Sequence, residues 1–162
     1  MLFWQRLVPG LLVGLLTLST AQAINITASI DWESCQLPDS ITNAGDYYSS
    51  SIESTTLTCS DATLSVSGAA TSTTPWTVTS RIASTSSGIT LNLDLMRNGN
   101  GSGDSTPTGG ESYIAQTTAA QTLFTGQGNV SLIPIQFRIR NFDVTDGNGT
   151  KNIQLSYEIN TH

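Results

Sequence analysis

Apolar and polar residues alternate without a break from Ile24 to Glu33. Ile24, Ile26, Ala28, Ile30 and Trp32 take one parity, and Asn25, Thr27, Ser29, Asp31 and Glu33 take the other. A period of two puts the five apolar side chains on one face of an extended strand and cannot give a helix an apolar stripe. No other segment alternates for so long. Shorter runs of the same kind follow at Leu57/Cys59, Leu64/Val66, Trp76/Val78/Ile82, Ile89/Leu91/Leu93/Leu95, Ile133/Ile135/Phe137/Ile139 and Ile153/Leu155/Tyr157/Ile159. Turn-forming stretches separate them: Leu37-Pro38-Asp39, Ser67-Gly68, the loop from Asn98 to Asp104, Gly109-Gly110, Gly126 to Asn129, and Asp146 to Gly149. Residues 24–162 show no helical periodicity, no repeat and no linker. Strands at this spacing, rich in Thr, Val and Ile, predict an all-β fold with two packed sheets, a β-sandwich, rather than a parallel α/β fold.

Ahead of the first strand stands a short basic head ending in Arg6, an apolar run from Leu7 to Leu18 and a small-residue close at Ala21-Gln22-Ala23. This is the pattern of a cleaved export signal, residues 1–23. The run is interrupted by Pro9, Gly10 and Gly14 and is too short to span a bilayer. The expectation is an exported chain, in the periplasm, at the cell surface or outside the cell, with no stable membrane insertion. Removing 23 of the 162 residues leaves 139, a common size for one domain, and losing Arg6 moves the formal charge from −6 to −7. Nothing in so acidic a chain would neutralise phosphates, so nucleic acid is not an expected partner. Cys35 and Cys59 are the only cysteines. In an oxidising compartment the expectation is one disulfide between them, closing a loop whose restraint stabilises the fold by roughly 3 kcal/mol.

Candidate chemistry is sparse. The single histidine, His162, is the final residue and a poor base for a Ser-His-Asp arrangement, and too few ligands surround the cysteines for a zinc site. Asp31/Glu33 and Asp143/Asp146 read as solvated carboxylates rather than an acid–base pair. Asn98-Asn100-Ser102-Gly103 echoes a calcium loop but lacks its opening Asp and its late bidentate Glu, so a hairpin turn is the better reading. Trp32 and Trp76 are in phase with core positions and read as buried rather than as sugar-stacking platforms. Arg138 and Arg140 share the outward face of one strand, where they are solvated, paired with carboxylates or in contact with a partner. The sequence thus predicts no catalytic residue, no metal site and no cofactor.

Ile26-Thr27-Ala28-Ser29-Ile30 with Ser34-Cys35, then Gly45-Asp46-Tyr47, then Leu57-Thr58-Cys59-Ser60 resembles the opening of spore coat protein U-like domains, which include archaic chaperone-usher pilin subunits. Leu91 to Leu95 is similar to that family's central strand, Ile133-Pro134-Ile135 to its late strand, and Gly149-Thr150 with Tyr157-Glu158-Ile159 to its closing strand. The chain differs in having Ala44 and Lys151 where the family has aromatics. The resemblance implies an immunoglobulin-like sandwich lacking one strand, which a neighbour's N-terminal extension fills by β-strand addition. Ile24, Ile26, Ala28, Ile30 and Trp32 would then be the inserted side chains, residues 24–33 the donor strand, and like subunits, a periplasmic chaperone and an usher the partners. The function implied is a structural or adhesive subunit of a pilus or surface coat. Two alternatives stay open at this point: residues 24–33 complete their own sandwich, and the chain is a secreted carbohydrate- or calcium-binding module.

Overall fold

A computed structural model describes residues 23–29, 62–85, 92–140 and 152–162, together with the backbone of 51–53. The described residues contain no helix. Their strands are β1 (Asn25–Ala28), β2 (Ser51–Glu53), β3 (Ala62–Ser67), β4 (Pro75–Thr85), β5 (Asn92–Arg97), β6 (Ser102–Gly103), β7 (Ile114–Ala115), β8 (Gln121–Gln127), β9 (Val130–Arg140) and β10 (Ile153–Thr161). Every pairing is antiparallel. The larger sheet runs β1-β3-β9-β5-β7, with β2 and β6 pairing the two ends of β9, and the smaller runs β10-β4-β8. The two sheets form the β-sandwich that the alternation predicts.

The core follows from strand parity. Leu64 and Val66 of β3, Leu93 and Leu95 of β5, Ile133 and Ile135 of β9, and Trp76 and Val78 of β4 are buried, each pair spaced by two. Complete burial of one such aliphatic side chain stabilises the fold by about 1.5–3 kcal/mol. Strand β8 breaks the rule, because Leu123 and Phe124 are both buried. The register slips between Val78 and Thr79 opposite them, a bulge that turns two successive side chains inward. Trp76 meets Phe124 edge to face, with centroids 6.2 Å apart, and its indole N–H donates to the Gly128 carbonyl at 2.7 Å.

Pro134 lies within β9, a strand with neighbours on both sides, where a residue without an N–H is normally excluded. Its carbonyl accepts from Asn98 N on the β5 side at 2.9 Å, so its missing N–H points the same way. On that side the ladder to β5 ends at Ile135 and the ladder to β6 begins at Ser131. The proline occupies the gap between them.

Candidate functional site

Among the described residues strand β1 ends the larger sheet on one side, as β7 does on the other. Asn25, Ile26, Thr27 and Ala28 pair with Ser67, Val66, Ser65 and Leu64 of β3, and Ser29 extends the contact by bonding Thr63 through its N–H (2.8 Å) and its Oγ (3.0 Å). Among the described residues no strand pairs with the other edge of β1. Ile24 and Ile26 are half-buried against the core, while Ala28 is exposed. The structure thus brings Ile24 and Ile26 together on one face. Ile30, Trp32, Cys35 and Cys59 lie outside the described residues, as do the signal segment and the acidic pairs at 31/33 and 143/146.

The two flanks of the sandwich are built differently. On the flank of β7 and β8, residues 108–117 join the sheets. Thr108 and Thr125 exchange main-chain hydrogen bonds at 2.8 and 2.9 Å, Thr117 accepts from Ile82 N at 2.7 Å, and Gln116 N donates to Leu93 O at 2.8 Å. Beneath them the buried Gln116 side chain accepts from Ser80 Oγ at 2.7 Å and donates to Ile114 O at 3.0 Å. On the opposite flank β1 lies beside β10, and no hydrogen bond between described residues joins the two. The side chains there, Ile24, Ile26, Ile153, Leu155, Tyr157 and Ile159, are apolar in the main and only half-buried.

A charged cluster sits on the outer face of the larger sheet. Parity places Asp94 away from Leu93 and Leu95, yet it is 1 % exposed. Arg138 Nε and Nη2 donate to its Oδ2 at 3.0 and 2.6 Å, and Arg140 Nε and Nη2 donate to Oδ2 and Oδ1 at 2.6 and 2.8 Å. The Arg138 guanidinium lies 3.9 Å from the Tyr113 ring centroid. Burial pushes the Asp94 carboxyl up, but the hydrogen bonds and charges of Arg140 and Arg138 outweigh it and hold the group below the usual carboxylate range. Register also sets Glu53 of β2 opposite Arg138, so acidic positions flank that arginine on both neighbouring strands. This arrangement ties β5 to β9 and offers no group poised for proton transfer.

Arg97, buried where Arg138 and Arg140 are only partly so, organises the glycine-rich loop after β5. It donates to the carbonyls of Gly109 (3.0 Å) and Gly99 (2.7 Å), to Glu111 Oε1 (2.6 Å) and to Asn100 Oδ1. Asp104, in the same loop, accepts from Asn129 N at 2.8 Å. The loop read as a hairpin turn contains the short β6 and spends its polar groups on the fold, and the described residues hold no cluster of three or more His, Cys, Asp or Glu able to bind a metal. Trp76 is buried, in keeping with its parity. No described helix is long and apolar enough to cross a membrane. Asp94 and Arg97 were not singled out in the sequence; the only signal for Asp94 is a carboxylate in phase with Arg138 and Arg140 on neighbouring strands. No protein-family model, no curated protein and no solved structure matches the chain.

Proposed function

We propose that this chain is an exported structural subunit, of the pilus or surface-coat kind, that associates with like subunits by β-strand addition. The observation that carries the reading is the contrast between the flanks among the described residues: residues 108–117 stitch one closed, while on the other no described strand pairs with the outer edge of β1 beside half-buried Ile24 and Ile26. A free edge beside incompletely covered apolar side chains is what an added strand recognises, through main-chain hydrogen bonds for affinity and alternate side chains for register. The N-terminal segment has the matching pattern, with Ile24, Ile26, Ala28, Ile30 and Trp32 in one phase.

The test is a chain lacking residues 24–33 to which a synthetic peptide of those residues is added. Strand exchange predicts a soluble truncated protein that binds the peptide and is stabilised by it, and a full-length protein that forms concentration-dependent multimers. Replacing Ile26 and Ile30 by Asp in the peptide places charges against apolar surface and abolishes binding. A truncated chain that stays unfolded with peptide present, together with a full-length protein that remains monomeric, makes the segment an ordinary first strand and removes the proposal.

A further inference from the structure

Asn98-Gly99 and Asn100-Gly101 are the same dipeptide twice in one loop, both exposed, and the fold treats them differently. Asparagine before glycine is the pair most open to ring closure, because the glycine nitrogen has no neighbouring Cβ to hinder its attack on the asparagine Cγ. Asn98 is held by its backbone: its N–H donates to Pro134 O at 2.9 Å, and its side chain takes no hydrogen bond from the described residues. Asn100 is held at the atom that matters. Its Oδ1 accepts from Arg97 Nη1, a nitrogen that also donates to Gly99 O at 2.7 Å. The cation is fixed, since Arg97 is buried and its Nε and Nη2 donate to Gly109 O at 3.0 Å and Glu111 Oε1 at 2.6 Å. Gly101 has a φ of 70°, a Cβ there would collide with Ser131 O, and its N–H donates to no described residue. The nitrogen that would attack is therefore not committed to a ladder.

We propose that Asn100 is a self-processing site, converted to aspartate with Arg97 as the electrophile. Gly101 N gives its proton to solvent and attacks Asn100 Cγ, and the new N–C bond sends an electron pair onto Oδ1, the atom to which the guanidinium already donates. A fixed donor aimed at an oxygen that gains charge lowers such a barrier. Collapse breaks the Cγ–Nδ2 bond, and the nitrogen takes a proton from water and leaves as ammonia, closing a cyclic imide. Water then adds to one of the two ring carbonyls. Addition at Cγ breaks the bond to Gly101 N, which regains a proton, and gives an ordinary aspartate. Addition at the main-chain carbon instead leaves the chain running through Cβ, as isoaspartate. Arg97 polarises the Cγ carbonyl and so selects the first. The net change is amide and water to carboxylate and ammonium. The product sets a carboxylate against a buried cation whose carboxylate partner among the described residues, Glu111, is 74 % exposed. A guanidinium binds a carboxylate more strongly than an amide oxygen.

The full-length chain carries its own reference, because Asn98 has the same successor and lacks the cation. Peptide mapping with fragmentation that separates aspartate from isoaspartate follows both asparagines in one sample, in neutral buffer, native and in denaturant. Unfolding removes Arg97 from Oδ1, so in denaturant the two should react at similar rates and give mostly isoaspartate, the main-chain carbonyl being the more electrophilic. In the native protein Asn100 should convert about tenfold or more faster than Asn98 and give mainly aspartate; the gain is smaller than the roughly 100-fold of an enclosed site because the loop touches water. Arg97→Lys loses the planar fork and should bring the rate and product of Asn100 toward those of Asn98. The native and denatured comparison needs no variant and stands if Arg97→Lys fails to fold. A native Asn100 that converts no faster than Asn98, or yields mainly isoaspartate, overturns the proposal and makes the Arg97 bond a structural tie alone. A folded Arg97→Lys protein with unchanged rate and product overturns it as well.

Discussion

Asp94 shows how one side chain can be held in an unfavourable place. A carboxylate 1 % exposed on the outer face of a sheet is tolerable because four donors from two guanidinium groups reach it. Its folded form therefore releases its proton more readily than the unfolded chain does, and the linkage has a definite sign. The stabilisation is complete above the unfolded carboxylate value of about 4 and is lost as pH falls through the still lower folded value. Asp94→Asn keeps the shape and removes the charge. It should lower stability at pH 7 by about 1–2 kcal/mol, a discounted figure because both arginines stay partly in water. The difference between wild type and variant should shrink as pH drops below about 4. Thermal melts from pH 7 to pH 2 check this, and a difference that does not change with pH would mean that the carboxylate's charge is not what binds the two strands.

At the level of strands, parity made the core legible wherever pairing is regular. Leu64 and Val66, Trp76 and Val78, Leu93 and Leu95, and Ile133 and Ile135 all lie inside, as their spacing of two requires. Strand β8 escaped because adjacent Leu123 and Phe124 read as no clean period, and because Gly126 to Asn129 reads as a turn although the strand runs through Gln127. A bulge that inserts Leu123 into β8 opposite one step of β4 is a tertiary fact that local alternation does not carry. Gly126 is in β8 for a packing reason, since a Cβ there would come within 2.3 Å of the Trp76 ring. Gly126→Ala must push that buried ring aside and should cost about 1–3 kcal/mol. In a double-mutant cycle with Trp76→Phe, whose smaller ring does not reach that point, the penalty should be largely relieved, leaving a coupling of about 0.5–3 kcal/mol. Denaturant melts of the four proteins measure it, and strict additivity would show that the ring is not what excludes the side chain. The candidate site was legible only in part: alternation marks Ile24 and Ile26 as apolar and in phase, but edge position and unequal flanks arise from which strands meet across the sandwich.

For the whole molecule the unequal bonding of the two flanks among the described residues implies unequal local stability. Cooperative opening follows the density of buried contacts and the number of bonded neighbours. β9 has partners on both sides and fully buried Ile133 and Ile135, so its amides should exchange only through global unfolding. The stitched flank should stay close to that limit, because Ile82, Thr125 and Gln116 donate main-chain N–H groups to fixed carbonyls from residues on facing segments. β1 is four residues long, has one bonded neighbour among the described residues and leaves Ile26, like Ile24 just before it, half-buried. Its amides should exchange through a local opening well below the global free energy, by several kcal/mol, without disturbing β9. A strand that leaves its own sheet at low cost is the physical precondition for exchange between molecules, since the energy lost in leaving is recovered in an equivalent pairing. Native-state hydrogen exchange in low denaturant measures the two openings separately. If the β1 amides merge with those of β9 into one unfolding unit, the strand is integral to the core, and strand exchange would require unfolding the whole sandwich.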